Sequence, residues 1–205
     1  MIALSDSIFL TPEAYLQLEE KNNIKHEYID GQVYAMAGTT DTHNTIGLNL
    51  ALFIRNHFRG SDCRVYFADV KVNLERRNRF YYPDIIVTCD PKDRETSTYK
   101  IFPKLIIEVL SESTEAFDRG DKFNDYQTLD SLEEYVLVNS KRQRFETFRC
   151  NDQGLWVLQT YTPDDQTFEL QSINLTASFT DLYQDVELEA MSTTGYANAP
   201  KPDLS

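Results

Sequence analysis

The sequence predicts a mixed α/β protein in which helices and strands alternate through the first two thirds and strands dominate the rest. Two short apolar runs, residues 80–87 and 104–111, have the β-branched and aromatic composition of buried strands. Residues 42–58 carry apolar side chains at helical spacing, which predicts the longest helix. Between residues 135 and 173, four further apolar runs predict additional strands in the C-terminal part.

The N-terminal elements follow from local signals. Thr11 and Pro12 predict a helix start, because threonine is a common N-cap and proline suits the first helical position; the helix should end at residues 21–23. Residues 26–36 read as a hairpin that turns at Asp30-Gly31. The long helix at 42–58 follows it directly.

The remaining elements come from the same patterns. We expect strands at 64–67 and 70–74, then the two apolar runs, then a second main helix at 118–129. Four strands should follow at 135–139, 144–149, 156–161 and 168–173, with a short closing helix at 178–183. We expect residues 1–190 to form a single domain and residues 191–205, rich in Ser, Thr, Gly, Ala and Pro, to be a flexible tail.

Composition indicates a globular protein. With 41% hydrophobic and 26% charged residues, 205 residues suffice for one buried core. We expect no membrane association, because no apolar run approaches the roughly 20 residues that span a bilayer. The first residues lack the basic start of a signal peptide. Three cysteines, at 63, 89 and 150, show no metal-ligand spacing, so reduced thiols and a cytoplasmic location are expected.

The net charge of −13 argues against a simple nucleic-acid binder, since phosphate contacts require Lys and Arg. Residues 151–205 contribute −8 of this, which leaves −5 for the first 150 residues. Two basic islands interrupt that part, at residues 71–79 and 141–149. They are solvated strand ends on one interpretation and phosphate-binding surfaces on the other. The candidate nucleic-acid-binding residues are Lys71, Arg76, Arg77, Arg79, Lys141, Arg142 and Arg144.

Each of the two apolar runs contains one carboxylate, Asp84 or Glu108. An ionised group in a buried strand requires a partner or a metal, because its desolvation is costly. If the two strands pair, both carboxylates can face one edge of the sheet. Two carboxylates with a main-chain carbonyl and waters form an ordinary Mg²⁺ site, which can activate water at a phosphodiester.

A lysine beside such a site would orient the water or balance charge. The candidate is Lys122, and the alternative for it is an exposed i,i+4 pair with Asp118. Glu27, beside the hairpin turn, is either a site residue or a cross-strand partner of a nearby lysine. His43, in the first turn of the long helix, is either an accessory residue or a packed imidazole.

These residues together resemble the PD-(D/E)xK nuclease superfamily, and more closely a large family of mostly uncharacterised restriction-endonuclease-like proteins within it. The resemblance covers roughly residues 10–185. The matching positions are Glu27-Tyr28-Ile29-Asp30-Gly31, His43, Pro83-Asp84, Glu108 in Ile-Ile-Glu-Val-Leu-Ser, and Asp118-x3-Lys122-x3-Tyr126. It implies a restriction-endonuclease-like core, with a mixed β-sheet flanked by helices.

The resemblance also implies cleavage of a nucleic acid, DNA by analogy, with Mg²⁺ or Mn²⁺ as cofactor. Asp84, Glu108 and the carbonyl of Val109 would bind the metal. Asp84, Glu108, Lys122 and Glu27 would be catalytic, and His43 and Tyr126 accessory. A homodimer is expected as well, because double-strand cutting by such folds usually takes two sites.

One position departs from the superfamily pattern. The lysine expected two residues after the glutamate is Leu110 here, and Lys122 would take its place. The alternative function is therefore a catalytically inactive protein of the same fold that acts as a binding or regulatory module. A third interpretation is a sugar- or protein-binding β-rich domain whose carboxylates pair with arginines.

Overall fold

Thirteen short strands form the framework of the chain, and the computed structural model describes residues 9–188. Most predicted strands are present within one or two residues of their expected bounds. The strands are β1 (His26–Ile29), β2 (Gln32–Ala35), β3 (Arg64–Phe67), β4 (Lys71–Leu74), β5 (Arg79–Tyr81), β6 (Ile85–Thr88), β7 (Tyr99–Lys100), β8 (Leu105–Leu110), β9 (Glu134–Asn139), β10 (Phe145–Cys150), β11 (Trp156–Tyr161), β12 (Thr167–Leu170) and β13 (Leu175–Ser178).

In the described part of the chain, five α-helices accompany them: α1 (Pro12–Glu19), α2 (Asp41–His57), α3 (Glu115–Arg119), α4 (Asp121–Tyr126) and α5 (Phe179–Leu182). Thr11 caps α1 as predicted, because its hydroxyl accepts a hydrogen bond from the amide of Ala14. The hairpin turns at Asp30 and Gly31, whose φ angles of 50° and 94° lie in the left-handed region.

The strands assemble into a six-stranded and a five-stranded sheet and a separate hairpin. The six-stranded sheet has the order β11-β10-β9-β8-β6-β3, with β8 and β9 parallel and the other neighbours antiparallel. The five-stranded sheet has the order β2-β1-β5-β4-β7, and β12 pairs with β13 alone. The prediction of a mixed α/β fold is confirmed.

Side chains on the two faces of the six-stranded sheet form two separate cores. On one face, Ile85, Ile107 and Val109 pack against α2, α5 and the β12-β13 hairpin. Ile106 and Leu110 point to the other face, where they meet α4 and strands β4 and β5. Because strand side chains alternate, Glu108 also points to the second face, in the layer that holds α4.

The run at 80–87 is not one strand, as the sequence analysis assumed. It forms β5 and β6, which belong to different sheets, and residues 82–84 cross between them. Pro83 accounts for the break, because it has no backbone N–H to donate to a strand partner. Asp84 therefore lies at a junction of the two sheets and not inside a strand.

Four other elements differ from expectation. The helix predicted at 118–129 is two helices, α3 and α4, separated at Gly120. The run at 168–173 ends as β12 at Leu170 and continues as a 3₁₀ turn, Gln171–Ile173. The short strands β7 and β13 were not predicted, since each is brief and has a mixed composition.

The expectation of three reduced thiols is wrong for two of them. Cys63 and Cys89 form a disulfide, with Cα atoms 4.0 Å apart. Each cysteine lies one residue beyond the pairing of β3 with β6, so the sheet places them opposite each other. Cys150 is a half-buried free thiol.

Two further expectations concern the C-terminal tail and the membrane. The predicted tail at 191–205 lies outside the described residues. Among the helices of residues 9–188, none is both long and apolar enough to cross a membrane.

Candidate active site

Asp84 and Glu108 lie opposite each other where the two sheets meet. Strand β6 pairs antiparallel with β8, with Ile85 opposite Ile107, and one more step of this register places Asp84 opposite Glu108. The Oδ2 atom of Asp84 accepts a hydrogen bond of 2.7 Å from the backbone N–H of Val109. The two predicted carboxylates are thus brought to one place on adjacent chain segments.

Lys122 lies at the centre of three buried carboxylates. Its Nζ atom is 2.9 Å from Oε1 of Glu108, 3.3 Å from Oε1 of Glu27 and 3.5 Å from Oδ1 of Asp118. The four residues are only 3–6% exposed. The interpretation of Lys122 as an exposed partner of Asp118 is therefore wrong: it does contact Asp118, but in the interior and at the longest of the three distances.

The local structure explains how these side chains meet. The break at Gly120 ends α3, so that α4 begins anew and its first turn carries Lys122 over the face of β8 that bears Glu108. Tyr126, one turn further along α4, donates a hydrogen bond of 3.3 Å from its hydroxyl to Oε1 of Glu108. These contacts place Lys122 and Tyr126 on the same carboxylate oxygen.

Glu27 reaches the group from strand β1. Its Oε1 atom accepts a hydrogen bond of 3.2 Å from the backbone N–H of Tyr82, in the segment that crosses between the sheets. Since the same oxygen contacts Lys122, Glu27 joins the β1-β2 hairpin to α4. The interpretation of Glu27 as a cross-strand partner of a nearby lysine is wrong: its partner across the hairpin is Tyr34, and the lysine that it contacts, Lys122, lies on α4 within the candidate site.

His43 lies beside Asp84. The Nε2 atom of its ring is 3.3 Å from Oδ2 of Asp84, and the two side chains are 15% and 21% exposed. The hydroxyl of Thr40 caps α2 at the amide of His43 and so fixes the first turn of that helix. Asp84 and His43 are thus the more accessible side of the group, and Lys122 with its three carboxylates is the buried side.

Burial and neighbouring charge act together on the ionisation of this group. Burial raises the pKa of Glu108 well above its usual value; Lys122 opposes this rise, while Asp118 and Asp84 add to it. Burial alone would lower the pKa of Lys122, but Glu108 and Glu27 outweigh it, and the pKa of Lys122 is raised well above its usual value. Lys122 is therefore protonated at neutral pH.

Burial also tends to lower the pKa of His43. The hydrogen bond and charge of Asp84, with smaller contributions from Val109 and Asp118, outweigh burial and raise that pKa. The accessible side of the group thus contains an imidazole that a carboxylate favours in its charged form.

The donor atoms suit a divalent cation of the Mg²⁺ type. Four carboxylates, those of Glu27, Asp84, Glu108 and Asp118, share one lysine and one histidine, so negative charge is in excess. The closest contacts of Glu108 use Oε1 and those of Asp84 use Oδ2. No hydrogen bond within residues 9–188 uses the second oxygen of either. These are hard oxygen ligands, which Mg²⁺ prefers.

The described residues do not form a ready-made cage for a metal. Among residues 9–188, no group of three or more His, Cys, Asp or Glu side chains is placed to hold an ion. The donors available are the carboxylates of Asp84 and Glu108 and the main-chain carbonyl of Val109, so waters and substrate oxygens would complete the coordination.

The candidate phosphate-binding residues of the first basic island, residues 71–79, all contact other side chains of the protein. Lys71 is 5% exposed and donates to the hydroxyl of Tyr82, 3.0 Å away, so we leave it out of the proposed binding surface. Arg76 pairs with Asp130 and is 64% exposed. Arg79 pairs with Asp30 and Asp125, and Arg77 lies 3.7 Å from Asp125. Since Asp125 is on α4, this island adjoins the helix that carries Lys122.

The second island lies on β10 and the turn before it. Lys141 pairs with Glu112 at 2.8 Å, and Arg144 pairs with Glu146 at 2.9 Å. Arg142 is exposed. Glu146 also binds Arg119 of α3, next to Asp118, so this island adjoins the other end of the same helical segment.

Sequence reasoning missed two contributors to the site. Asp118 matched the family pattern but was given no role at the site, and its contact with Lys122 was considered only as an exposed pair, although their spacing signalled the contact. Tyr82 was treated as a strand residue, whereas its backbone N–H holds Glu27. A backbone donor carries no sequence signal. The interpretation in which arginines pair with the two carboxylates finds no support, because the ion-pair partners of Asp84 and Glu108 within residues 9–188 are His43 and Lys122.

The sequence is similar to a known protein family and to two relatives. A family model, Uma2, described as "Putative restriction endonuclease", matches residues 12–180. An uncharacterised protein of Synechocystis sp. (strain ATCC 27184 / PCC 6803 / Kazusa), slr1290, is 41% identical over 175 residues, which cover 85% of this chain and 92% of the relative. A second uncharacterised protein of that organism, sll1609, is 28% identical over 177 residues, 85% of this chain and 100% of the relative.

A solved structure shows the same fold. The crystal structure of "a putative nuclease belonging to DUF820" from Anabaena variabilis ATCC 29413 superposes with a TM-score of 0.71 and covers 87% of this chain and 99% of that chain. Its sequence is 16% identical, so the likeness concerns the fold alone.

Proposed function

We propose, because the chain belongs to the Uma2 family and has a restriction-endonuclease-like fold, that it is a nuclease that hydrolyses phosphodiester bonds. The observation that carries the proposal is the contact of 2.9 Å between Lys122 and Glu108, on the strand that runs beside Asp84. It brings two carboxylates and a protonated lysine together where the two sheets meet. Such a set suits reactions at phosphate, where charge develops on oxygen.

The proposed cofactor is Mg²⁺ or Mn²⁺. Asp84 and Glu108 would hold it, with the carbonyl of Val109 as a third donor. When bound, such an ion supplies positive charge that activates water and stabilises the phosphate oxygens in the transition state.

The residues of the chain have separate tasks in this proposal. Lys122 places a fixed positive charge beside the carboxylates, which balances charge on the phosphoryl oxygens as the ester bond breaks. Glu27 holds Lys122 from the side of β1, and Tyr126 holds Glu108. The side chains of Lys122 and Glu108 are therefore oriented before substrate arrives. His43 orients the carboxylate of Asp84.

The proposed substrate is DNA, and the two basic islands without Lys71 are the proposed phosphate-binding surface. Arg76, Arg77 and Arg79 adjoin α4, and Lys141, Arg142 and Arg144 lie towards α3. The two islands thus approach the α3-α4 segment from two directions. Phosphates bound there would lie along the helices that carry Asp118 and Lys122.

A specific observation supports the alternative of a binding module without catalysis. Lys122 is 5% exposed and its charge is already matched by three carboxylates, while Leu110 occupies the position where the superfamily has its lysine. A site whose lysine could not approach phosphate would bind nucleic acid without cutting it. Direct assay of cleavage separates the two functions.

The test uses the full chain and four substrates: supercoiled plasmid, linear duplex DNA, single-stranded DNA and RNA. We expect DNA cleavage with Mg²⁺ or Mn²⁺, none with a chelator, and none by Asp84→Asn in either condition. Wild-type protein that cuts no substrate with any divalent metal would overturn the nuclease proposal in favour of the binding module.

The metal is tested separately by thermal unfolding. A ligand that binds only the folded protein raises the melting temperature by mass action. Asp84→Asn removes one of several like charges, so without metal it should melt at the wild-type temperature or above, and it should gain less from Mg²⁺. An equal gain in the two proteins would rule out Asp84 as a metal ligand.

A further inference from the structure

Strand β11 is an unprotected edge of the six-stranded sheet. It has six residues, Trp156–Tyr161, whereas the other edges of the two large sheets, β3, β2 and β7, have four, four and two. Within residues 9–188, its ladder partner is β10 alone. Alternate N–H and C=O groups along β11 therefore point away from the sheet without a strand to receive them.

The composition of β11 is unusual for an edge. Its residues are Trp, Val, Leu, Gln, Thr and Tyr, with no charge and no proline in a chain that is 26% charged. Val157 and Leu158 are 52% and 51% exposed on opposite faces of the strand, and Leu155 just before them is 58% exposed. Edge strands that remain single are usually short or carry lysine, proline or a bulge, and β11 has none of these protections.

We propose that β11 pairs with β11 of a second copy of this chain and forms a homodimer. Two antiparallel copies of one strand are self-complementary about a two-fold axis, which is the commonest symmetry of homo-oligomers. Charge supports this occupant. The net charge of −13 opposes the association of two copies through any surface, but contact along the uncharged strand adds no local pair of like charges to this repulsion. A nucleic acid would find no cation on this strand.

The proposed pairing joins two six-stranded sheets into one of twelve strands. The two-fold axis is perpendicular to the sheet, so the faces that carry Glu108 and its copy lie on the same side. Three strand spacings separate β8 from β11 in each copy, and one more spans the interface. At the usual strand spacing of about 4.8 Å, β8 and its copy are therefore about 34 Å apart. The inference goes beyond the nuclease proposal and does not depend on it.

The test is sedimentation velocity of the full chain over a wide range of concentrations, with two matched double variants. Val157→Lys with Leu158→Lys places two charges on β11. Leu48→Lys with Leu52→Lys makes the same change at residues of α2 that are 56% and 55% exposed. All four positions are on the surface, so both variants should fold. We expect a dimer for wild type and for the α2 variant, and complete loss of the dimer for the β11 variant.

Hydrogen exchange of residues 156–161 identifies the contact. The outward amides should be protected in the wild-type dimer and exchange faster in the β11 variant, because pairing removes them from water. Wild type that stays monomeric at every concentration overturns the proposal. So does a dimer that survives in the β11 variant, or protection of these amides in a monomer, which would mean that another segment of the chain covers the edge. None of these outcomes bears on cleavage.

Discussion

Two regions of the molecule bury carboxylates in different ways. On β9 and β10, Glu134 receives Arg149 at 3.0 Å, and Glu146 receives both Arg119 and Arg144, at 2.6 Å and 2.9 Å. In the candidate active site, by contrast, the carboxylates of Glu27, Glu108 and Asp118 share the single ammonium of Lys122.

The difference concerns what each arrangement is suited to do. The charge of a buried carboxylate that is paired with arginine is balanced within the protein, and breaking such a pair destabilises the fold. A group with more carboxylates than cations retains unbalanced negative charge, which disfavours the fold and favours a bound cation. The pKa values of glutamates in the two regions are accordingly shifted in opposite directions. Burial and nearby acids raise the pKa of Glu108, whereas at Glu146 the arginines outweigh burial and lower the pKa.

The largest expected effect is on catalysis. Lys122→Met should reduce DNA cleavage by roughly 100-fold or more, because a fixed charge near the developing oxyanion is removed. Mg²⁺ binding should persist or tighten, since the carboxylates lose their competing cation, and this distinguishes lost catalysis from lost folding. Lys104→Met is the control, because Lys104 pairs with Glu133 at 2.6 Å. Equal cleavage rates for wild type and Lys122→Met would remove Lys122 from the mechanism.

The second effect compares the stability of the two regions directly. Glu134→Gln should lower the free energy of unfolding by about 1.5–3 kcal/mol, the range for hydrogen bonds to charged groups. Asp118→Asn should leave the metal-free stability unchanged or higher, because Lys122 keeps two other carboxylates and one repulsive charge is removed. Urea unfolding in chelator measures both. Equal losses in the two variants would show that the site carboxylates are as completely paired as those of β9.

The third prediction concerns the pH dependence of stability. The pKa of Glu108 in the folded protein lies above its ordinary value of 4.5. The contribution of Glu108 to the stability of the fold is therefore present below pH 4.5 and is lost as pH rises through the folded pKa. Glu108→Gln lacks this loss and should gain stability relative to wild type as pH rises. The pKa of Glu146 is lowered, so its contribution is present above 4.5 and is lost as pH falls.

Glu146→Gln should therefore be less stable than wild type at neutral pH, with the difference shrinking as pH falls below 4.5. Unfolding by urea at a series of pH values, in chelator, gives both differences. The two variants should diverge from wild type in opposite directions as pH rises. If the stability difference from wild type changed with pH in the same direction for both variants, the contrast between the two regions would be contradicted.

The smallest effect is on the salt dependence of DNA binding. Replacing Arg76 and Arg77 by glutamine should flatten the slope of log affinity against log salt by about 0.9 for each phosphate that the variant no longer binds. Arg94→Gln is the control, because Arg94 is another arginine paired with an aspartate, Asp62, at 2.9 Å. A slope that stays at the wild-type value in the double variant would show that this island does not face DNA.

Sequence reasoning found most of the site and misjudged its surroundings. Asp84, Glu108, Lys122, Glu27 and His43 were all selected, and the structure brings them together. The alternative considered for Lys122 placed it on an exposed helix face, paired with Asp118. The break at Gly120 and the packing of α4 on β8 bury it instead. The disulfide of Cys63 with Cys89 was missed because the strand register that aligns them is not visible in composition.

The sequence by itself determined the elements that local chemistry controls. Apolar periodicity set the strands and α2, Thr11 and the Asp30-Gly31 turn set two boundaries, and carboxylates within apolar runs marked the site. Only the tertiary structure decided that Pro83 moves the chain from one sheet to the other, that Lys122 binds three carboxylates, and that β11 is an edge strand of the six-stranded sheet. These features depend on contacts between segments far apart in the chain, and such contacts are selected by the burial and charge balance of the whole fold.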